Sequence, residues 1–168
     1  MADKTSLDGT DFRILKLLMQ DARTPYLEIA RICGISGAAI HQRMKKMEDS
    51  KIVSGTRLLV SPDALNLNVC AFVNIKVSQP DMINSVVEKL KEMTEVVECH
   101  FIMGQFTLLV KIYCRDNAHL MDVLVNRVLK ISGVSDTSSF ISLKQLIDRP
   151  VPVISTKQQL ALENNNGQ

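Results

Sequence analysis

The chain has 168 residues, 46% of them hydrophobic, and carries 20 Lys+Arg against 18 Asp+Glu. This length supports one or two small cores and excludes a large multidomain enzyme. No apolar run approaches the roughly 20 residues of a membrane helix, and the polar opening is unlike a signal peptide, so we expect a cytoplasmic protein that contacts no membrane. The four cysteines form no CxxC pair. They are predicted to be reduced core residues, and neither a metal site nor a cofactor is expected.

Positive charge is concentrated in the first third of the chain. Residues 1–60 hold 10 Lys+Arg and 7 Asp+Glu, whereas residues 61–168 hold 10 and 11. Between Arg31 and Arg57 there are six basic and two acidic residues. An excess of positive charge in so short a stretch favours contact with phosphates.

Three short helices are predicted in this basic region. Asp8, with Asp11 three residues later, is typical of the start of a first helix. Thr24 is expected to cap a second helix that ends at Gly34, since glycine favours a left-handed turn. Ser36 is expected to cap the third helix. The inward face of that helix carries three apolar residues at helical spacing, Ile40, Met44 and Met47.

Helix, glycine turn and helix within residues 27–46 form the pattern of a helix-turn-helix, whose second helix enters the major groove of DNA. On its outward face Gln42 can pair with adenine, and Ala38 can touch a thymine methyl group. Lys45 and Lys46 are placed to hold phosphates, which position a protein on DNA without reading the sequence. The alternative is a solvated helix on a small three-helix bundle.

Arg43 has two predicted roles, contact with phosphate or an ion pair to Glu48 or Asp49 within the protein. Residues 51–60 are predicted to form a short hairpin, or wing, in which Arg57 contacts phosphate. The candidate DNA-contacting residues are Ser36, Ala38, His41, Gln42, Arg43, Lys45, Lys46 and Arg57.

The rest of the chain alternates between strand and helix patterns. Every second residue from Val69 to Val77 is apolar or small, which predicts a half-buried strand. A helix starting near Pro80, a hairpin around Gly104, a helix capped by Asp116 and a last strand follow. The predicted strands are 69–77, 96–103, 106–114 and 134–143. This βαββαβ order is ferredoxin-like, so the fold class is α+β, a winged helix-turn-helix followed by a ferredoxin-like domain.

In a ferredoxin-like domain both helices cover one face of the sheet. The other face is predicted to carry several residues that are too apolar for free solvent, among them Phe72, His100, Leu109, Tyr113 and Ile141. We therefore expect a homodimer packed sheet against sheet.

With both halves in place, the sequence resembles the Lrp/AsnC, or feast/famine, family of bacterial and archaeal regulators. The residues that carry the resemblance are Leu7-Asp8, Asp11, Ile14-Leu15, Leu18, Asp21-Ala22-Arg23, Ile29-Ala30, Gly34-Ile35-Ser36, Arg43, Met47-Glu48, Ile52-Val53 and Gly55. The resemblance implies operator binding by a winged helix-turn-helix and an effector domain that responds to amino acids or related small molecules. It also implies dimers that assemble further, often into octamers.

The chain departs from the family pattern at two places. Ser50-Lys51 precedes Ile52 where the family usually has glycine, which predicts a locally different turn. Thr107 replaces the aspartate of a Gly-x-x-Asp signature at the effector loop. A threonine hydroxyl cannot pair with an ammonium group as a carboxylate does, which argues against a common α-amino acid as effector. The candidate effector residues are Gly104, Gln105, Thr107, Thr137, Ser138 and Ser139, and a solvated edge strand is the alternative for the last three.

The sequence thus predicts a DNA-binding transcriptional regulator, nucleoid-associated in a prokaryotic cytoplasm, with no catalytic residues. Its domains are predicted as helix-turn-helix over 1–60, a linker over 61–68, the effector and dimerisation domain over 69–150, and a tail over 151–168. An architectural DNA binder without effector and a small-molecule sensor that acts through protein contacts are the two rivals. The first predicts affinity independent of DNA sequence, and the second predicts no DNA affinity.

Overall fold

A computed structural model describes residues 6–153 and divides them into two units. The first unit holds the described residues up to Leu58 and those from Asp148 onward, and the second is Leu59–Ile147. The first is helical, with α1 over Gly9–Gln20, α2 over Tyr26–Cys33 and α3 over Gly37–Asp49. Within the described residues, no helix is long and apolar enough to cross a membrane.

Local capping explains where these helices begin and end. Asp8 accepts from the backbone N–H groups of Thr10 and Asp11, and the Asp11 side chain accepts from the Asp8 N–H, which completes the predicted capping box. The Ser36 hydroxyl accepts from the Ala39 N–H at 3.1 Å. Gly34 ends α2 at φ 69°, a left-handed conformation that costs glycine little.

Two expectations about this unit are wrong. Thr24 does not cap α2, because its hydroxyl donates to the Asp21 carbonyl oxygen at 2.8 Å and Pro25 stands at the cap position. Residues 51–60 contain no strand, so the predicted wing is absent. Leu58 and Leu59 are 74% and 88% exposed. A two-stranded hairpin is marginal without an apolar face to bury, and these two side chains bury little of their surface here.

Lys51 follows α3 in a left-handed conformation, with φ 57°. The N–H groups of Ile52 and Lys51 donate to the Met47 and Glu48 carbonyl oxygens, both at 2.9 Å, and so close the helix end. Glycine adopts this left-handed conformation readily, whereas a lysine residue in it raises the conformational free energy by about 1 kcal/mol.

The helical unit has its own core. Ile14, Ile29, Ile40 and Met47 have no exposed surface, and Met44 is nearly as buried. The predicted inward face of α3 is therefore confirmed. Val153 packs against the same core, so the chain returns to the helical unit before the described residues end. The predicted tail beyond residue 153 lies outside the described residues.

The second unit is a four-stranded antiparallel sheet in the order β2-β3-β1-β4, with β1 over Val69–Val77, β2 over Val96–Phe101, β3 over Leu108–Cys114 and β4 over Val134–Ser142. Helix α4, over Ile83–Lys91, follows a 3-10 turn at Pro80–Met82. Helix α5, over Asn117–Asp122, is capped by Asp116 and continues as a π-helix over Val123–Val128. The βαββαβ prediction is confirmed, and the π-helical turn is new.

One sheet face packs under the helices. Its core includes Ala71, Val73 and Ile75 of β1 and Val110 and Ile112 of β3, all without exposed surface. Cys114 is buried in this core as predicted, whereas Cys99 is exposed, contrary to expectation.

The opposite sheet face, here called the open face, carries Lys111, Phe72 and Phe140 in register, with Phe72 between the other two. Tyr113, Leu109 and His100 lie on this face as predicted. Ile141 does not, because it pairs with Ala71 on the helix-covered side and leaves Phe140 on the open face. Successive residues of a strand face opposite sides of the sheet, so a register shift of one residue exchanges the two faces.

Candidate nucleic-acid interface and effector loop

Helix α3 presents a polar, basic outer face. Ala38, His41, Gln42, Lys45 and Lys46 are exposed, whereas the opposite side of the helix is sealed in the core. Because the Ser36 cap and the Gly34 turn define the start of α3, these side chains have a common direction relative to the helical unit. A helix offering amide and ammonium groups in this way can reach base edges and phosphates.

Arg43 is held inside the helical unit. One of its guanidinium nitrogens lies 2.7 Å from Asp8 Oδ2 and 2.6 Å from Asp11 Oδ1. Asp11 is buried, with its side chain 4% exposed, whereas the Asp8 side chain is 54% exposed. The internal ion pair that the sequence allowed is therefore present, but with the two α1 cap residues and not with Glu48 or Asp49.

The remaining predicted DNA contacts are exposed. The Ser36 hydroxyl accepts from the Ala39 N–H, and Arg57 lies in the irregular segment at the position of the predicted wing. The His41 ring meets the Tyr26 ring edge-on, with centroids 5.2 Å apart. Sequence reasoning missed Tyr26, because the contact depends on how α2 crosses α3.

Gly37 allows α2 to approach the start of α3. A Cβ atom at this position would lie 3.0 Å from Leu27 Cδ2. Leu27 is 69% exposed, so an apolar side chain stands beside the first turn of the outer face. Sequence reasoning missed this residue as well, since its spacing resembles an ordinary core position.

The effector candidates separate into two groups. Gly104 and Gln105 are exposed in the turn between β2 and β3, and Gly104 has φ 148°. Thr107 is half-buried, and its hydroxyl accepts from the Val77 N–H at 3.2 Å, next to the register irregularity between Lys76 and Val77. The Thr107 hydroxyl thus has a structural partner and keeps its own proton to donate.

The β4 candidates do not share one face. Thr137 and Ser139 pair with the core residues Ile75 and Val73, whereas Ser138 pairs with Asn74 on the open face. Thr107 donates its N–H to the Ile75 carbonyl oxygen, so Thr107 and Thr137 flank the same end of β1. Within one chain the structure therefore brings Thr137 towards the effector loop, while Ser138 and Ser139 lie further along β4 on opposite faces.

Comparison with known proteins identifies two family models and several relatives that match this chain. Residues 7–48 match the model of the AsnC-type helix-turn-helix domain, and residues 70–152 match that of the Lrp/AsnC ligand binding domain. The regulatory protein AsnC of Haemophilus influenzae is 33% identical over 146 residues, which cover 87% of this chain and 97% of that protein. The chain belongs to the Lrp/AsnC family. It is a helix-turn-helix transcriptional regulator.

Solved structures agree with this Lrp/AsnC assignment. Escherichia coli AsnC is 34% identical and superposes with a TM-score of 0.81, covering 87% of this chain and 98% of that one. A transcriptional regulator of Neisseria meningitidis, solved as a complex with L-methionine, is 25% identical with a TM-score of 0.83 and covers 88% and 97%. The two matched domains fall within the two units that the structure separates, apart from the chain's return to the helical unit at Asp148.

In the helical unit of this Lrp/AsnC regulator, Arg43 forms a cluster of charges with Asp8 and Asp11. The N–H of Asp11, followed by the Arg43 guanidinium, holds the pKa of Asp8 below its usual range. The hydrogen bonds to Asp8 and then Asp11 raise the pKa of Arg43. Both directions mean that the charged forms are stabilised by folding.

We expect acid to weaken the helical unit through Asp8. Because the folded-state pKa of Asp8 lies below its unfolded value, its contribution is present above about pH 4 and is lost as pH falls through the folded-state pKa. Amide hydrogen exchange in α1, measured as pH is lowered through this range, should show the free energy of opening decreasing. Asp8→Asn should reduce that pH dependence, because the side chain at position 8 then no longer titrates. Equal pH dependence in Asp8→Asn and the parent would contradict the assignment.

Proposed function

We propose that this Lrp/AsnC regulator binds double-stranded operator DNA sequence-specifically, with α3 in the major groove. The observation that carries the proposal is the exposed set Ala38, His41, Gln42, Lys45 and Lys46 on a helix whose opposite face is fully buried. Arg43 is assigned a different role, positioning α3 against α1 through Asp8 and Asp11. The protein acts at the nucleoid in the cytoplasm and performs no catalysis.

Substitution of a base-reading residue of α3 and of a phosphate-binding one should have different effects on DNA binding. Gln42→Ala should reduce the preference for the chain's own upstream DNA over shuffled DNA, because an amide that pairs with adenine contributes about 1–3 kcal/mol of discrimination. Lys45→Ala should weaken binding to both DNAs alike and lower the salt slope by about one, since one phosphate contact is lost. Fluorescence anisotropy at several salt concentrations measures both effects.

Lys16→Ala is the matched control, because Lys16 is an exposed lysine that lies on α1 and not on α3. Loss of specificity to the same extent in Gln42→Ala and Lys45→Ala would refute the division of roles. Equal parent affinity for native and shuffled DNA would favour an architectural DNA binder. Absence of binding to either DNA would favour a sensor that works through protein contacts.

We propose that a small molecule bound near the β2–β3 loop modulates this regulator. The related Neisseria regulator was solved with L-methionine. In this chain Gly104, Gln105 and Thr107 supply the loop, and Thr137 lies across β1 from Thr107. Ser139 lies on the same face as Thr137 but further from the loop, whereas Ser138 lies on the open face and joins this site only if a second subunit contributes to it. Because the Thr107 hydroxyl can donate to a carboxylate but supplies no negative charge for an ammonium group, we propose an effector held mainly through its acidic end.

The regulator is proposed to be a homodimer joined through the open face, with further assembly to an octamer implied by family resemblance. Phe72 and Phe140 are 36% and 60% exposed on this face. On the other side of Phe72 from Phe140, the Lys111 ammonium lies 5.9 Å from the Phe72 ring centroid, 5.4 Å from the Tyr113 centroid and 3.4 Å from Glu98 Oε1. Aromatic side chains around a satisfied charge are typical of an interface, and they favour a second copy as the cover.

A further inference from the structure

A groove on the helix layer of the second unit is lined by residues that belong to neither proposed site. It lies between the start of α4 and the end of the π-helical segment, and its volume is about 540 Å³. Met82 and Ile131, both half-buried, form its apolar part, and Lys89, Arg127 and Lys130 line it as cations. This volume falls within the usual range for small-molecule sites.

The apolar part of the groove is held in place by its neighbours. Gly133 has φ 99°, and a Cβ atom there would lie 3.0 Å from Met82 Cβ and 3.2 Å from Met82 Sδ. The Ser78 hydroxyl lies 3.6 Å from the same sulfur. Met82 is therefore packed against a position that only glycine leaves open, so the groove exists before any ligand arrives.

The π-helical turn shapes the other wall. Over Val123–Val128 the helix is wider than an α-helix, and the Leu129 N–H donates to the Leu124 carbonyl oxygen at 2.9 Å. The wider turn changes the direction of the residues that follow it, which include Lys130 and Ile131. Single π-turns inside helices are frequent at functional sites.

The charges around the groove are only partly compensated. Lys89 Nζ lies 2.9 Å from Glu92 Oε1, and an Arg127 guanidinium nitrogen lies 2.6 Å from Glu95 Oε1. Lys130 instead donates to the neutral amide oxygen of Asn126 at 3.2 Å. Within the described part of the chain the lining residues include three cations and no acid. The groove therefore favours an anion and offers nothing to pair with an ammonium group.

We propose that this groove binds a small organic acid with an aliphatic body and one carboxylate, the body on Met82 and Ile131 and the carboxylate at Lys130. A free amino acid of the same skeleton binds poorly, because its ammonium group meets a positive rim. The proposal does not rest on DNA binding or on the effector loop, and its test uses neither.

Isothermal titration of the full-length protein with isocaproate tests the proposal, with leucine and isocaproamide as matched compounds. Isocaproate has the aliphatic skeleton of leucine without the ammonium group, and the amide removes the charge. We expect saturable isocaproate binding in the millimolar range, with leucine and the amide each weaker by about tenfold. Hydrogen exchange should slow in peptides that cover residues 82–89 and 127–132.

Lys130→Gln should weaken isocaproate binding by about tenfold, since the charge-assisted hydrogen bond is replaced by a neutral one. Lys91→Gln is the matched control, because Lys91 is an exposed lysine of α4 that pairs with Glu88 and does not line the groove. Absence of saturable binding below about 20 mM would overturn the proposal. So would equal affinity for isocaproate and leucine, or an unchanged affinity in Lys130→Gln.

Discussion

Replacement of Arg43 by alanine is expected to lower the free energy of opening of the helical unit by about 2 kcal/mol. The guanidinium is the partner of Asp11, which is buried, and removal of one member of a buried ion pair leaves the other charge unpaired. For a fully buried ion pair, the loss of stability on removal of one partner would be about 3–5 kcal/mol. We reduce it because Asp8, the second partner, is more than half exposed, and solvent screens that contact.

Hydrogen exchange of α3 amides in the full-length protein, without DNA, measures this effect. Arg13→Ala is the control, since Arg13 is an exposed arginine of α1. Unchanged exchange in Arg43→Ala together with a lower DNA affinity would show that Arg43 holds a phosphate and not the helix. Asp11→Asn provides a second comparison, because it frees Arg43 from its buried partner. If Arg43 only positions α3, Asp11→Asn should not tighten DNA binding.

Replacement of Phe140 by lysine is expected to weaken the proposed dimer by about 100-fold or more. Phe140 pairs with Phe72 on the open face. A buried aromatic residue at the centre of an interface contributes about 2 kcal/mol or more, and a two-fold interface contains the substitution twice. The introduced ammonium would also be buried in the interface without a partner of opposite charge, which is unfavourable.

Ile141→Lys is the matched control for this experiment. Ile141 is the next residue on β4, is 49% exposed and carries its side chain on the opposite sheet face. Sedimentation velocity at micromolar concentration should show Phe140→Lys as a folded monomer and Ile141→Lys as the parent assembly. The reverse result would place the interface on the helix-covered side, and dimers in both variants would contradict dimerisation through the open face.

Features that depend on neighbouring residues could be predicted from the sequence alone. The caps at Asp8, Ser36 and Asp116 are formed as expected, because a side-chain acceptor and the N–H it binds lie within three residues. Strand β1 runs from Val69 to Val77 as predicted, since alternation over nine residues defines both its length and its buried face. The outer face of α3 followed from the same periodicity.

The motif residues also identified the family, and the comparisons confirm it. Their spacing indicated the order of the elements and hence the fold. Spacing along the chain does not show which residues remote in the sequence lie close to a given side chain. Both roles of Arg43 therefore remained open.

Only the tertiary structure shows which carboxylates Arg43 meets. Arg43 meets Asp8 and Asp11 across 35 and 32 residues, a contact that exists because α1 and α3 pack together. It likewise decided that residues 51–60 form no hairpin and that a π-turn follows α5. On β4 it placed Phe140, and not Ile141, on the open face, because the pairing register with β1 determines the side and one residue reverses it. The sequence by itself determined the order of helices and strands along the chain and the family, whereas the partners of Arg43 and the faces of β4 depended on packing between segments far apart in the chain.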